Sequence, residues 1–166
     1  MKKLALIAIL ALLVSIPTFA TNSTTTQIKA VINADLSITG GLPAGPTTLP
    51  LAGGTTTLGT LTVSSNVAGA WRITVTSLNK GVMKATGIST FYPYTFAVKT
   101  AGSVVTGLSG NLGDGTTAAD KSADVTTGVA TVVYTLEVTN AASDTFSPAL
   151  PAGEYVDSIT VTVSTL

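Results

Sequence analysis

The side chains of this chain that could do acid–base or metal chemistry are its carboxylates, because the 166-residue sequence contains no Cys and no His. Thiol nucleophiles, imidazole bases, disulfides and Cys/His zinc sites are therefore excluded. Asp114, Asp120 and Asp124 share one segment and could offer oxygen ligands to a calcium ion, but their spacing matches no compact calcium loop. No local motif supports a pair of hydrolytic carboxylates. We therefore expect a protein that is not an enzyme and that binds no cofactor or metal.

The charged residues are few and dispersed. Charged side chains make up 10% of the sequence, with eight basic and eight acidic residues. Beyond the first twenty residues the basic ones stand singly, at Lys29, Arg72, Lys80, Lys84, Lys99 and Lys121. Because this pattern forms no basic patch, we expect no nucleic-acid partner.

The first twenty residues have the pattern of a secretory signal peptide. Two lysines begin it, an apolar run of 13 residues follows, and Thr18 and Ala20 place small side chains at a cleavage site. The run is shorter than the ~20 residues that span a bilayer, which favours a signal peptide over an N-terminal membrane anchor. We predict a signal peptide at residues 1–20 and an exported mature chain.

The mature chain is dominated by strand patterns. Apolar and polar side chains alternate with period two in residues 26–38, 58–63, 71–76, 92–98, 129–138 and 155–163, which predicts strands with one buried face. Gly59 is a predicted bulge, residues 78–81 a turn, and Pro93 a position at a sheet edge or strand start. Residues 101–125 are predicted as a long loop with one short strand near Val104, and residues 140–151 as another loop.

The spacing of these strands predicts an all-β fold, an antiparallel β-sandwich of the immunoglobulin-like kind. No segment beyond the first twenty residues has apolar side chains at helical spacing. The sequence contains 31 threonines, and a stiff β-branched side chain with a hydroxyl suits the solvated face of a sheet.

The two ends of the mature chain carry the longest alternating patterns. The N-terminal run places Ile28, Ala30, Ile32, Ala34, Leu36 and Ile38 on one face. A glycine-rich segment, residues 40–45, joins it to the rest and is predicted to be flexible. Such a strand can pair within its own sheet, or it can be donated to a neighbouring subunit by strand addition.

Both ends resemble those of chaperone–usher fimbrial subunits (pilins). Residues 151–163 resemble the pilin ending AGxYxDxITVTV, and Gly153 is the fourteenth residue from the C-terminus, as is typical of pilins. Residues 28–35 are similar to the donor strands of Cys-free colonization-factor-type subunits. Thr165 replaces the penultimate Tyr of many pilins, and the absence of Cys favours the Cys-free branch or a spore-coat-U-like relative.

The resemblance implies an incomplete sandwich that strand donation completes, with a donor strand at residues 21–38 and a β-sandwich domain at residues 39–166. The implied donor residues are Ile28, Ala30, Ile32, Ala34 and Leu36. The implied edge of the accepting groove, which a chaperone would cover first, contains Gly153, Tyr155, Ile159, Val161 and Val163. The implied partners are identical or related pilin subunits, a periplasmic chaperone and an outer-membrane usher. The implied location is the periplasm in transit and then a fimbria on the cell surface, where the chain would support adhesion.

A second interpretation stays open, in which the N-terminal strand pairs in cis. The chain would then be a self-complete secreted or cell-surface β-sandwich binding module without polymerisation, either spore-coat-U-like or wall-binding. The segment Trp71-Arg72-Ile73 loosely resembles the Trp-x-Leu motif of Gram-positive wall-binding modules, with Ile in place of Leu.

Overall fold

The computed structural model of the chain describes residues 27–126, 129–145 and 150–166. The predicted signal peptide and residues 21–26 of the predicted donor strand lie outside the described residues. The chain divides into two compact units, Met1–Ile32 and Asn33–Leu166. Of the first unit, residues 27–32 are described, and they are exposed and form no regular secondary structure.

Nine strands and one short 3-10 turn make up the regular structure of the described residues. They are β1 (Leu36–Gly40), β2 (Gly54–Asn66), β3 (Trp71–Ser77), β4 (Val82–Lys84), β5 (Phe91–Thr100), β6 (Ser103–Gly110), β7 (Lys121–Val125), β8 (Val129–Asn140), the 3-10 turn Ser143–Thr145, and β9 (Ile159–Thr165). Within the described ranges, no helix has the length and hydropathy of a membrane span.

The strands form two antiparallel sheets that pack against each other. The larger sheet has the order β1-β2-β8-β5-β4, and β6 pairs with the second half of β5. The smaller sheet has the order β7-β3-β9. Apolar side chains of both sheets meet in one core. The predicted antiparallel β-sandwich is confirmed.

The core follows directly from the alternation of side chains along each strand. On β3, Trp71, Ile73 and Val75 have no exposed surface, whereas Arg72 between them is partly exposed. The Trp71 ring meets the ring of Tyr134 on β8 edge-on, with centroids 6.4 Å apart and planes at 83°, a geometry that aromatic pairs favour. This contact joins the middle strand of the smaller sheet to the larger sheet.

Three local features predicted from the sequence are present. The β2–β8 register shifts just before Gly59, which marks the predicted bulge. Lys80 and Gly81 adopt positive φ angles of 62° and 80° in the predicted turn between β3 and β4. Pro93 is the third residue of β5 and pairs with Val82 of β4, but it precedes the β5–β8 ladder, so its missing N–H leaves no gap in that ladder.

Residues 101–125 differ in part from the prediction: the short strand predicted near Val104 is present as the longer β6, and β7 forms where a loop was predicted. Ala101 and Gly102 have positive φ angles of 48° and 81° and close a tight hairpin between β5 and β6. Leu108 and Leu112 are fully buried as a result. The many small and polar side chains of this segment conceal its strands, since their stability comes from packing against neighbours.

The N-terminal strand is shorter than predicted. The strand β1 begins at Leu36, and residues 27–35 belong to no strand. Leu36 pairs with Ser65 and Gly40 with Leu61, so β1 is held in cis along β2. Since β2 ends at Asn66, no strand among the described residues extends beside the residues that precede β1.

The outer face of the larger sheet carries many of the threonines. Thr55 of β2 lies opposite Thr139 of β8, and their hydroxyl oxygens are 2.7 Å apart. An ion pair on the same face joins Lys99 Nζ to Glu137 Oε2 at 2.7 Å. Hydroxyl groups therefore provide much of the polarity of this solvated face.

Candidate functional site

The strand β9 lies at the edge of the smaller sheet and has one free side. It pairs with β3 from Ile159, opposite Ser77, to Thr165, opposite Trp71. Among the described residues no second strand pairs with it. Its seven residues include no charged side chain. An edge of this kind presents unpaired backbone N–H and C=O groups that can bind a further strand.

The inward side chains of β9 are incompletely covered. Ile159, Val161 and Val163 pack against the core but remain partly exposed, in contrast to the fully buried side chains of β3. Leu36 and Ile38 of β1, which contacts β9 across the sandwich, are also partly exposed. The apolar side chains are therefore only partly covered where β1 and β9 approach each other.

A groove of about 490 Å³ opens where the chain enters β9. Residues 155–159 and residues 42–47 line it. The remaining lining side chains, which are mostly apolar, are Leu49, Leu58, Met83, Tyr94, Leu136 and Val138. Thr47, Asp157 and Ser158 add polar groups to this lining, and Ile159 is the residue of β9 that belongs to it.

Asp157 fixes the chain just before β9. Its Oδ2 accepts hydrogen bonds from the hydroxyls of Ser77 and Tyr94, each at 2.6 Å. Its Oδ1 accepts from the backbone N–H groups of Asn79 at 2.9 Å and Ser158 at 2.7 Å. Burial and the hydrogen bond to Asp157 raise the pKa of Tyr94 above its usual range. Because Ser77 ends β3 and Tyr94 lies on β5, Asp157 joins the two sheets beside the groove.

Only three of the five predicted groove-edge residues lie on β9. Ile159, Val161 and Val163 alternate along its inward face. Gly153 and Tyr155 precede the strand and belong to no strand themselves. Tyr155 still lines the groove, whereas Gly153 lies near Ile88, whose Cδ1 would be 2.8 Å from an added Cβ.

The strand predicted from Tyr155 onward begins later because β4 holds the preceding chain. The Val156 N–H donates to the Lys84 C=O at 3.0 Å, and the Lys84 N–H donates to the Val156 C=O at 2.9 Å. The Tyr155 ring packs edge-on against Tyr92, with centroids 6.3 Å apart. The anchoring role of Asp157 was missed from the sequence, where its only signal was a carboxylate directly before an alternating apolar run.

The predicted donor side chains are exposed in the structure, with one exception. Ile28 and Ile32 are 95% and 85% exposed, and Ala30 and Ala34 are exposed as well. Leu36 instead lies in β1 and pairs with β2. The part of the alternating segment that belongs to no strand therefore ends before Leu36.

Two of the three aspartates considered as calcium ligands, Asp114 and Asp124, have separate partners. Hydrogen bonds from Thr116 and Thr117 lower the pKa of Asp114 to about 2. Asp124 forms an ion pair with Arg72 at 2.6 Å. In the described part of the chain, no group of three or more acidic side chains is placed to bind a metal ion.

No protein-family model matches the sequence, and no curated protein matches it significantly. The functional assignment therefore depends on the open edge of β9 and on the exposed segment that precedes β1.

Proposed function

We propose that this chain is a structural subunit of a surface fimbria that supports adhesion, in which the N-terminal segment of one copy adds a strand along β9 of another. The observation that carries this proposal is the bare, uncharged edge of β9 beside a partly exposed core. In this role the chain performs no catalysis and needs no cofactor.

The N-terminal segment fits the β9 edge in length and chemistry. The strand β9 has seven residues, as do residues 28–34, and seven residues span about 20 Å in a strand. In an extended chain Ile28, Ala30, Ile32 and Ala34 share one face. Main-chain hydrogen bonds to β9 give affinity, and this face covers the exposed core. Burial of each isoleucine contributes about 1.5–3 kcal/mol.

The cis pairing of β1 narrows the donor segment. Leu36 already contributes to its own sandwich, where it pairs with β2 and packs against the core. We therefore assign donation to residues 28–34 and retain Leu36 in the domain that carries it.

The same edge needs a partner before assembly. An uncovered apolar edge strand promotes aggregation during export. A periplasmic chaperone would meet this need by lending a strand to β9. At an outer-membrane usher, the donor strand of the next subunit would then replace the chaperone's strand. The predicted signal peptide agrees with such a route to the cell surface.

The proposal is tested with two versions of the mature chain, residues 21–166. One is unchanged, and the other carries a second copy of residues 27–35 after Leu166 on a flexible linker. We expect the extended version to be a monomer by size exclusion and to unfold at least about ten degrees higher, because it buries two more isoleucines. A matched control places Asp in the position of Ile32 in the added copy and should not be stabilised.

The opposite result would favour the second interpretation, a β-sandwich that is complete without a donated strand. A mature chain that is a stable monomer alone, and that gains nothing from the added strand, is a self-complete β-sandwich. A binding module would then be the better description, and a glycan screen the next measurement.

A further inference from the structure

The β1–β2 ladder continues beyond the end of β1 through one side chain. The last regular pair is Leu36 with Ser65. At the next position the Asn66 N–H donates to the Asp35 C=O at 3.0 Å. In return the Asp35 N–H donates to the side-chain Oδ1 of Asn66, and the Asn66 Nδ2 donates to the Asn33 C=O at 2.9 Å.

A carboxamide suits this position because it offers a C=O and an N–H side by side, as a peptide unit does. The backbone of Asn66 pairs with Val129 of β8 on its other side. The next residue, Val67, donates its N–H to the hydroxyl of Ser65 at 3.2 Å, and β2 has ended. Residues 33–35 therefore have no further β2 backbone to pair with, and the Asn66 side chain bonds to them instead.

We infer that Asn66 is the positioning residue of the donor segment: it holds residues 33–35 as a continuation of β1. This inference rests on the proposed strand donation. It places the point at which the chain becomes free to swivel before Asn33. The glycine-rich segment at residues 40–45, predicted to be the flexible joint, follows β1 and is itself held where the Gly41 N–H donates to the Thr60 C=O at 2.9 Å.

The inferred role predicts a stiff connection between subunits. The last residues of the donated strand, Asn33 and Ala34, would then be fixed on both sides: to β9 of one subunit and, through Asn66, to the domain that carries them. When these residues are held, few bonds can rotate between one sandwich and the next. When they are released, the same fibre gains a longer and looser joint.

The test compares Asn66→Ala and Asn66→Asp with the control Ser64→Ala on the same strand. The alanine removes both side-chain hydrogen bonds, whereas the aspartate keeps the acceptor for the Asp35 N–H and loses the donor to the Asn33 C=O. In the mature chain we expect the amide hydrogen exchange of Asp35 to rise about five- to tenfold in Asn66→Ala, and less in Asn66→Asp. The control should leave it unchanged.

Fibres provide the second readout. By electron microscopy, fibres of Asn66→Ala should bend more sharply than those of the wild type or of the control. Unchanged exchange at Asp35, or unchanged curvature of the fibres, overturns the inference. If the wild type forms no fibres, strand donation is wrong, and the exchange measurement alone still decides whether Asn66 holds residues 33–35. Asn66 is exposed, so both variants are expected to fold.

Discussion

The two edges of the smaller sheet, β7 and β9, flank the same central strand and are built in opposite ways. The strand β7 is five residues long and includes Lys121 and Asp124, and Asp124 is bound to Arg72 of β3 by hydrogen bonds of 2.6 and 3.0 Å. The backbone of β6 lies close beside it, since a Cβ on Gly107 would be 2.9 Å from the Ser122 carbonyl oxygen. The strand β9 is longer and uncharged, and the neighbour on its free side is β1, which contacts it without strand pairing.

This difference shows which edge is protected against further pairing. Short length, charge and a covering segment are the usual means by which proteins protect an edge strand. The edge at β7 has all three, whereas the edge at β9 lacks short length and charge and has only the contact with β1. Within one small sheet, the weaker protection is at the edge that the proposed assembly uses.

The largest expected effect comes from the donor side of the β9 contact. Ile32→Asp should abolish fibre formation. It removes an isoleucine that assembly would bury, and it places a carboxylate in a mostly apolar groove. The matched control is Val31→Asp on the opposite face of the segment. Both residues are highly exposed before assembly, so neither change should alter the stability of the domain. Electron microscopy of secreted material gives the measurement, and fibres formed by Ile32→Asp would show that donor and groove are wrongly assigned.

A lysine introduced on each edge separates stability from assembly. Val161 of β9 and Ala123 of β7 both face inward and are partly buried against the core. Val161→Lys and Ala123→Lys should each lower the free energy of unfolding by about 1–3 kcal/mol. Only Val161→Lys should also prevent strand addition, because its ammonium lies where the donor must pack. Equal effects of the two variants on assembly would contradict the difference between the edges.

The anchor that fixes the start of β9 should weaken at alkaline pH. The pKa of Tyr94 is raised by burial and by its hydrogen bond to Asp157, so the stability that neutral Tyr94 provides is complete below its unfolded pKa of about 10 and is lost as the pH rises through the higher folded value. Tyr94→Phe should cost about 1 kcal/mol at neutral pH and reduce this alkaline loss.

Denaturant unfolding measures this effect when it is carried out at about pH 8 and about pH 11 on the extended version, with and without Tyr94→Phe. Burial also raises the pKa of Tyr134, which remains in both proteins and therefore cancels in the comparison. An alkaline loss of the same size in Tyr94→Phe would place its origin elsewhere.

The smallest expected effect is at the protected edge. The hydrogen bond and charge of Arg72 lower the pKa of Asp124, so its contribution is present above an unfolded pKa of about 3.9 and is lost as the pH falls through the lower folded value. Both side chains are nearly half exposed, at 43% and 45%, and solvent screens the pair. Asp124→Asn should shift the unfolding temperature by no more than about two degrees at neutral pH and flatten its dependence on acid. Asp124→Asn should leave fibre assembly unchanged, because β6 still covers β7. New association of subunits through β7 would contradict this account.

The sequence predicted the sandwich because strands such as β3 and β8 alternate cleanly, and their buried residues are the large apolar ones. It predicted only a short strand near Val104 for β6 and no strand for β7, because β6 depends on the hairpin at Ala101 and β7 on its pairing with β3. The alternation before Leu36 predicted a strand that does not form. A strand also needs a neighbour to pair with, and β2 ends before it could pair with these residues.

The candidate site was only partly readable from the sequence. Alternation identified Ile159, Val161 and Val163 as one face of a strand. It could not show that the other side of that strand is unpaired, because an edge is defined by distant segments of the chain. The hydrogen bonds of Asp157 and Asn66 were hidden for the same reason: apart from Ser158, their side-chain partners lie between 30 and 80 residues away in sequence.

The burial of Trp71 gives the chain a built-in optical reporter. It is the only tryptophan of the sequence, it has no exposed surface, and its indole N–H has no hydrogen-bond partner among the described residues. Its fluorescence should therefore arise from one dry environment at short wavelength and shift to longer wavelength when water enters between the sheets. Because Trp71 pairs with Thr165 at the far end of β9, the unlabelled protein can report the separation of its sheets in every variant described above.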